Sequence, residues 1–372
     1  MRIGIDCHTV GSGVGGNETY VVHLVRALAA IDGRNEYRLY FTRPSPVISE
    51  LAARPNFTAV RLAPHTPFVR IPVSLPVELK RHPVDVLHVQ YISPPFERTP
   101  IVNMVHDLAV LHMPQLFPRL QVWRQRLLLP GSVRRAARVL TPSQFCKDEI
   151  VRTFAVPPAR VVVTPEGVSD HFQRVENPAR DRALARYGIA PPYLLFVGNI
   201  QPRKNLRGLL DAFALLKRRE RIPHRLVVVG RKAWLYAGVF AQVRELDVES
   251  DVRFISYVPD ADLPALYSGA DALVSPSLCE GFGLPPLEAM RCGTPALVSD
   301  RPAFPEVLGD AALMVDPTQP EDIATGILAV LHDPDLRRKL VARGGERARR
   351  YRWEDTARRT LAVFEDVSRT GR

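Results

Sequence analysis

Two glutamates eight positions apart carry the first chemical signal in this chain. In SLCEGFGLPPLEAMRCGTPALVSD, Glu280 falls in the loop after the apolar run DALVSP, Gly281 and Gly283 permit a tight turn, and Pro285 or Pro286 suits a first helical turn. Glu288 then falls on the first or second turn of that helix. Backbone N–H groups at such a helix start can meet phosphate oxygens, and the two carboxylates can accept from different hydroxyls of one ligand. The plainer reading of either carboxylate is a cap favoured by the helix dipole. A second loop, VGNIQPRKNL, sets Arg203 and Lys204 between a strand and the helix LRGLLDAFALL. Cations are mildly disfavoured at a helix start, so this pair fits a diphosphate clamp better than two solvated charges. A third loop, HTVGSGVGGNETY, follows the first strand and opens a helix at about Asn17. Its glycines Gly11, Gly13, Gly15 and Gly16 let the backbone approach a ligand, although the spacing is not that of a dinucleotide fingerprint and a plain tight turn reads as well. His106, in VHD at another strand end, stands beside Asp107, where a hydrogen-bonded structural pair is the plainer expectation.

These loops need strands to hold them. RIGID, YRLYF, FTAVRL, VDVLHVQ, PIVNMVHD, RVLTPS and RVVVTPEGV alternate with helical patterns. After a break near Pro178 to Pro192, the rhythm restarts with YLLFVGN, RLVVVG, VRFISYV, DALVSPS, PALVSD and AALMVD. The pattern predicts an α/β chain of two doubly wound parallel-sheet domains, residues 1–169 and 170–352, with the boundary near Gly167–Asp170. The terminal helix, about 353–372, carries Trp353, Leu361, Phe364 and Val367 on a helical period and could pack on either half. Ligands in such sheets bind beyond the carboxyl ends of the strands, so a cleft between the two domains is the expected active site.

Composition agrees with an enzyme-sized globular chain. The 372 residues exceed what one core usually organises, and 46% hydrophobic residues suffice for two. The longest apolar runs fall short of a spanning helix, and MRIGIDCHTV reaches Asp6 too early for a secretory signal, so a cytoplasmic location is expected. Cys7, Cys146, Cys279 and Cys292 form no C-x-x-C pair and read as buried reduced thiols. The net charge of +11 should attract phosphates, anionic membrane or nucleic acid, but the aromatics are dispersed, which argues against nucleic acid. The stretch 117–138 carries Arg119, Arg124, Arg126, Arg134, Arg135 and Arg138 among leucines and Trp123. It reads either as an ordinary surface helix or as peripheral contact with an anionic membrane at its inner face. Tyr91 and Phe96, in VQYISPPF, could stack on a sugar ring or fill space. D-x-D occurs as Asp260 and Asp262 in PDADLPALY, which reads as a helix start, so no metal is expected.

EGFGLPPLEAMRCGTP resembles the E-x7-E signature of the retaining GT-B glycosyltransferases, specifically family 4. GNIQPRKN, the glycine loop, MVHDLAVL and the terminal aromatic-plus-helix segment extend that resemblance over nearly the full chain. It implies two Rossmann-like domains facing across a cleft, the first for the acceptor and the second for a nucleotide sugar. Arg203 and Lys204 resemble the pair that neutralises the donor diphosphate, and Glu280 the carboxylate on the transferred sugar's hydroxyls. Gly281, Phe282 and Gly283, with Leu284 beside them and Asn199 in the cation loop, complete the donor contacts, and Glu288 resembles the carboxylate on the ribose. Gly15 and Gly16 resemble the glycines that approach the diphosphate, and His106 the histidine near the sugar. The resemblance further implies retention of anomeric configuration, metal-independent transfer with no cofactor, and a glycan or lipid-linked acceptor. HDLAVLHMPQLFP has the look of the GDP-mannose users, so mannosyl transfer in polysaccharide or glycoconjugate biosynthesis is expected. A UDP-sugar donor, a sugar-nucleotide epimerase or a non-catalytic sugar-nucleotide binder are the alternatives.

Overall fold

The computed structural model describes residues 1–13 and 15–370 and divides them into two compact units. The first holds Met1–Leu111, Leu120–Gly167 and the chain from Arg352 onward; the second holds His112–Arg119 and Val168–Tyr351.

In the first unit seven strands form one wholly parallel sheet: β1 (Arg2–Asp6), β2 (Glu36–Phe41), β3 (Phe57–Arg61), β4 (Val86–Gln90), β5 (Ile101–Met104), β6 (Arg138–Thr141) and β7 (Val161–Val163). Their order is β3-β2-β1-β4-β5-β6-β7. Helices cover both faces, which is why β4 and β5 are buried along their whole length and read as apolar runs without alternation. Sequential order reverses between β1 and β4, and that switch point lies beneath the glycine loop after β1 and the Gln90–Tyr91 corner after β4.

The second unit repeats the plan with six parallel strands: β8 (Tyr193–Val197), β9 (Arg225–Val229), β10 (Val252–Ile255), β11 (Ala272–Ser275), β12 (Ala296–Ser299) and β13 (Leu313–Val315). The order β10-β9-β8-β11-β12-β13 places its switch point between β8 and β11. The loop carrying Arg203 and Lys204 follows β8, and the loop carrying Glu280 follows β11. The two chemical loops therefore meet because of strand order. Among the described residues every strand coincides with a run legible in the sequence, β2 starting one residue before its run, at Glu36.

Local choices enforce these positions. The helix Leu206–Leu215 buries Leu209, Leu210 and Phe213 completely against β8 and β9, roughly 1.5–3 kcal/mol for each side chain. Its cap, Asn205, sits in the left-handed region and accepts from the Gly208 amide at 3.3 Å, so the turn ends where the cations stand. Gly230, just after β9, passes so close to the strand-end Gly198 that a Cβ would lie 1.9 Å from its carbonyl oxygen, and only glycine admits that approach.

The terminal helix, Trp353–Thr370, packs in the first unit against the helix Gly16–Ile31. Its buried stripe includes Trp353, Ala357, Thr360, Phe364 and Val367, Trp353 stacks on His23 at 5.2 Å, and Thr356 Oγ1 donates to the Pro165 carbonyl at 2.6 Å. Residues 371 and 372 of the predicted helix lie outside the described residues. The chain passes close to itself here too, since a Cβ on Gly167 would lie 2.2 Å from the Trp353 nitrogen. Cys7, Cys146 and Cys292 are buried as expected, whereas Cys279, beside Glu280, is only half-buried. Among the described residues no helix is long and apolar enough to cross a membrane.

Candidate active site

In the second unit the loops after β8 and β11 are laced together. The Leu278 amide donates to the Arg203 carbonyl at 2.9 Å, and Arg203 Nη1 donates to the Cys279 carbonyl at 3.1 Å. Onto this frame converge Glu280, Arg203 and Lys204: Lys204 Nζ lies 2.6 Å from Glu280 Oε1, and Arg203 Nη1 lies 3.2 Å from Oε2. The loop after β12 fixes the carboxylate from the other side, through Glu280 N to the Pro302 carbonyl at 3.3 Å and Ala303 N to the Glu280 carbonyl at 3.1 Å.

Glu280 is buried, which alone would raise its pKa. The charges of Lys204 and then Arg203 outweigh that penalty and hold the carboxyl at about 2. Glu280 is therefore an anion at any physiological pH. It can accept hydrogen bonds and stabilise positive charge, but it holds no proton to give. Two cations against one carboxylate leave the corner with a net positive charge, as a site for an anion requires.

Gly283 begins the helix Leu284–Arg291 in the left-handed region, φ 101°, and a Cβ there would run into the Phe304 ring at 2.4 Å. Pro285 and Pro286 fall in the first turn. Glu288 falls on the second turn, half-buried, and accepts from Tyr267 Oη at 2.7 Å. Phe282 turns its ring into the unit, edge-on to Tyr351 at 5.2 Å, and Leu284 is buried as well, so both can address a ligand only through their backbone. Gly281 is buried in the same turn, and Asn199 stands half-buried at the end of β8 after Gly198.

In the first unit His106 is pinned at both ring nitrogens. Nδ1 lies 2.9 Å from Glu166 Oε1 and Nε2 lies 2.8 Å from Gln90 Oε1; Tyr20 meets the ring edge-to-face at 4.8 Å and Tyr91 lies 5.8 Å away. The expected structural pairing with Asp107 is not its partner, because Asp107 accepts from the Ala109 amide and starts the next turn. The carboxylate makes Nδ1 a donor, and because Nε2 already faces the Gln90 side-chain amide, a ligand reaches that nitrogen only by displacing Gln90. The His106 carbonyl accepts from Cys146 Sγ at 3.3 Å. Phe96 stands almost fully exposed, not a filler of space.

The glycine loop behaves differently from expectation at one end. The Glu18 carboxylate, one turn into the following helix, accepts from the Gly11 amide at 2.7 Å and the Gly13 amide at 2.5 Å. A carboxylate of the chain itself thus engages the amides that the loop could lend to a ligand at those positions. Gly15, φ 75°, starts the helix at Gly16, one residue earlier than expected, and a Cβ on Gly16 would meet nothing within 4 Å.

Sequence reasoning missed Glu166, Gln90, Tyr267 and Glu18. Glu166 and Gln90 do carry a signal, since Gln90 ends β4 and Glu166 lies three residues past β7, both at the carboxyl end of the sheet that holds His106.

Known proteins resemble the chain throughout. Residues 14–172 match the family described as Glycosyltransferase Family 4, and residues 181–347 match Glycosyl transferases group 1. The O-antigen chain mannosyltransferase B of Escherichia coli is 37% identical over 267 residues, 71% of this chain and 70% of the relative. The O-antigen chain mannosyltransferase RfbU of Salmonella typhimurium is 34% identical over 62% of this chain and 61% of its own length. Among solved structures, WaaG, a glycosyltransferase involved in lipopolysaccharide biosynthesis, superposes with a TM-score of 0.77 at 19% identity, over 97% of this chain and 99% of WaaG. HepE from Anabaena, in complex with UDP and glucose, gives 0.77 at 16% identity over 98% and 100%. The fold is that of the GT-B glycosyltransferases, and the chain belongs to family 4 of these hexosyltransferases, the glycosyl transferases group 1.

Proposed function

We propose that this glycosyltransferase moves mannose from GDP-mannose, with retention of configuration and without a metal, to a lipid-linked glycan acceptor at the cytoplasmic face of a membrane. The observation that carries the chemistry is the buried Glu280 held between Lys204 and Arg203. Departure of GDP from the anomeric carbon builds negative charge on the diphosphate, and a preorganised corner of two cations beside a helix amino terminus meets that charge without reorganisation. The ionised Glu280 takes the sugar hydroxyls and offsets positive charge on the ring, while Glu288, steadied by Tyr267, takes the ribose. The acceptor hydroxyl attacks the anomeric carbon from the face the diphosphate leaves. Its oxygen bonds to that carbon, the carbon–phosphate oxygen bond breaks, and the hydroxyl proton passes to the departing phosphate. His106 Nε2 positions a sugar hydroxyl in place of the Gln90 side chain that faces it. The mannose assignment rests on the mannosyltransferase relatives.

The test is release of nucleoside diphosphate from a panel of GDP- and UDP-sugars, with Glu280→Ala and Arg203→Ala beside the unaltered chain and with EDTA present and absent. Release from GDP-mannose alone, lost in both variants and indifferent to EDTA, is expected. Turnover of a UDP-sugar in its place, or loss with EDTA, would overturn the donor or the metal-free reading respectively.

A further inference from the structure

One run of the chain changes company. Met1–Leu111 and Leu120–Gly167 belong to the first unit, but His112–Arg119 between them belongs to the second. It is the latter part of HDLAVLHMPQLFP, whose opening histidine is His106. Pro114 and Pro118 bracket a single 3₁₀ turn, Pro114–Leu116, and restrict its backbone. The Leu116 amide donates to the Met113 carbonyl at 3.0 Å and the Phe117 amide to the Pro114 carbonyl at 3.2 Å, so both donors are satisfied locally. The Leu116 carbonyl is taken by Trp234, whose Nε1 donates to it at 2.8 Å. Phe117, 8% exposed, sets its ring 5.6 Å from the indole. An indole nitrogen only donates, so this carbonyl and this ring fix how Trp234 stands.

Trp234 lies in the loop after β9, and that loop is zipped to the cation loop after β8. Ile200 N donates to the Arg231 carbonyl at 2.8 Å, Ala233 N donates to the Ile200 carbonyl at 3.1 Å, and Ile200 pairs with Lys232 as a parallel bridge. Ile200 is buried, and Gln201 follows it into the turn Pro202–Lys204, where the Lys204 amide returns to the Gln201 carbonyl at 3.1 Å. A short run of backbone hydrogen bonds therefore joins the anchor of Trp234 to Arg203 and Lys204. The next residue shows that the loop is held in place. Leu235 adopts φ 53°, in the left-handed region, while its side chain is 61% exposed. Burial of Leu235 does not offset that backbone conformation, so its neighbours impose it: Trp234 on one side, and on the other Lys232, whose Nζ lies 4.5 Å from the Phe240 ring centre within the same loop and its helix.

From this geometry we infer that Trp234 is a positioning residue for transfer. Gripped by the Leu116 carbonyl and the Phe117 ring, it sets the loop after β9 and, through Ile200, the placement of Arg203 and Lys204 against the donor diphosphate. The inference rests on the proposed diphosphate role of those two cations. A charged corner meets developing charge without reorganisation only if its groups are already fixed, and small misplacements are costly in rate. A run from the first half of the sequence thus helps to build the donor site.

The test uses the full chain, with GDP titrated calorimetrically and initial rates of GDP release from GDP-mannose. Trp234→Phe keeps a ring against Phe117 and deletes the N–H. GDP affinity should fall about fivefold, the worth of one neutral hydrogen bond, and kcat should fall as well, because the diphosphate carries more charge in the transition state than in the bound donor. Trp234→Ala and Phe117→Ala should each lower GDP affinity tenfold or more. GDP affinity and kcat within twofold of the unaltered chain in both Trp234 variants, whatever their melting temperatures, would reduce Trp234 to a packing residue and overturn the inference. Hydrogen exchange gives a readout on the unaltered chain. Coupling is reciprocal, so saturating GDP should slow exchange in the peptide 112–119, and should no longer do so in Trp234→Ala saturated with the same nucleotide. Exchange in 112–119 indifferent to GDP in the unaltered chain would refute the coupling. Failure of the diphosphate reading itself shows separately, as unchanged GDP affinity in Arg203→Ala.

Discussion

Replacing Glu280 by Gln removes one negative charge from a buried three-ion cluster and keeps its shape, so it separates the carboxylate's structural work from its chemical work. The carboxyl stands near 2 against an ordinary value of about 4.5, a depression of about 2.5 units. At 1.36 kcal/mol per unit this corresponds to about 3 kcal/mol of stabilisation of the ionised form by the fold. Because the folded pKa is depressed, that stability is fully present above about pH 4.5 and is lost as pH falls toward 2. Urea denaturation at pH 7 and pH 5.5 should therefore show Glu280→Gln less stable by the same amount, about 3 kcal/mol, at both values. The variant leaves Lys204 and Arg203 largely buried without their counter-ion, and a bound diphosphate supplies one. GDP should accordingly bind Glu280→Gln at least as tightly as it binds the unaltered chain and raise its melting temperature by more. Transfer should nevertheless fall by a hundredfold or more, the scale expected when a preorganised charge opposite a developing one is removed. Undiminished turnover would refute the sugar-side role of Glu280. Loss of GDP affinity together with activity would show instead that the carboxylate merely holds the cations in place.

Three further outcomes follow from partners seen in the structure. Glu166→Gln keeps an acceptor for His106 Nδ1 but removes its charge, so kcat should fall about tenfold, with GDP-mannose affinity within twofold and a displaced pH profile of kcat; an unmoved profile would leave Glu166 a packing residue. Tyr267→Phe deletes the 2.7 Å hydrogen bond to Glu288, so KM for the donor should rise several-fold at constant kcat, read by initial rates. His88, on β4, donates from Nδ1 to the Val102 carbonyl and accepts at Nε2 from Tyr20, and burial pushes its pKa down to about 4 from 6.5. The unfolded imidazole takes up a proton that the folded one refuses, so stability present above pH 6.5 should decline by about 3 kcal/mol as pH falls to 4, and His88→Asn should flatten that slope in urea titrations.

What the sequence revealed and what it withheld divide along one physical line. Strands buried on both faces announce themselves as apolar runs, because no polar face interrupts them, and their carboxyl ends then say where ligands go. Arg203 and Lys204 were legible because cations are misplaced at a helix start unless they serve an anion, and Glu280 because it heads the E-x7-E pattern with Glu288. Gly283 belongs with them, since its positive φ and the crowding from Phe304 leave no other residue room. Partnerships across sequence were invisible. Glu166 lies 60 residues from His106, Arg70 lies 64 from Asp6, and nothing in TPEGV or FVRIPV shows which strand end each will meet. His106 drew attention to its sequence neighbour Asp107, yet Asp107 accepts from the Ala109 amide, and the partners of His106 come from the carboxyl ends of other strands, Gln90 from β4 and Glu166 from the loop after β7. The glycine loop shows the same limit at Gly11 and Gly13. Its glycines signalled backbone N–H groups offered to an anion, and that chemistry is present, but the anion engaged at Gly11 and Gly13 is the chain's own Glu18. A motif thus states what its backbone can bind; which carboxylate or phosphate binds it is decided by residues that the fold, and not the spacing, brings near.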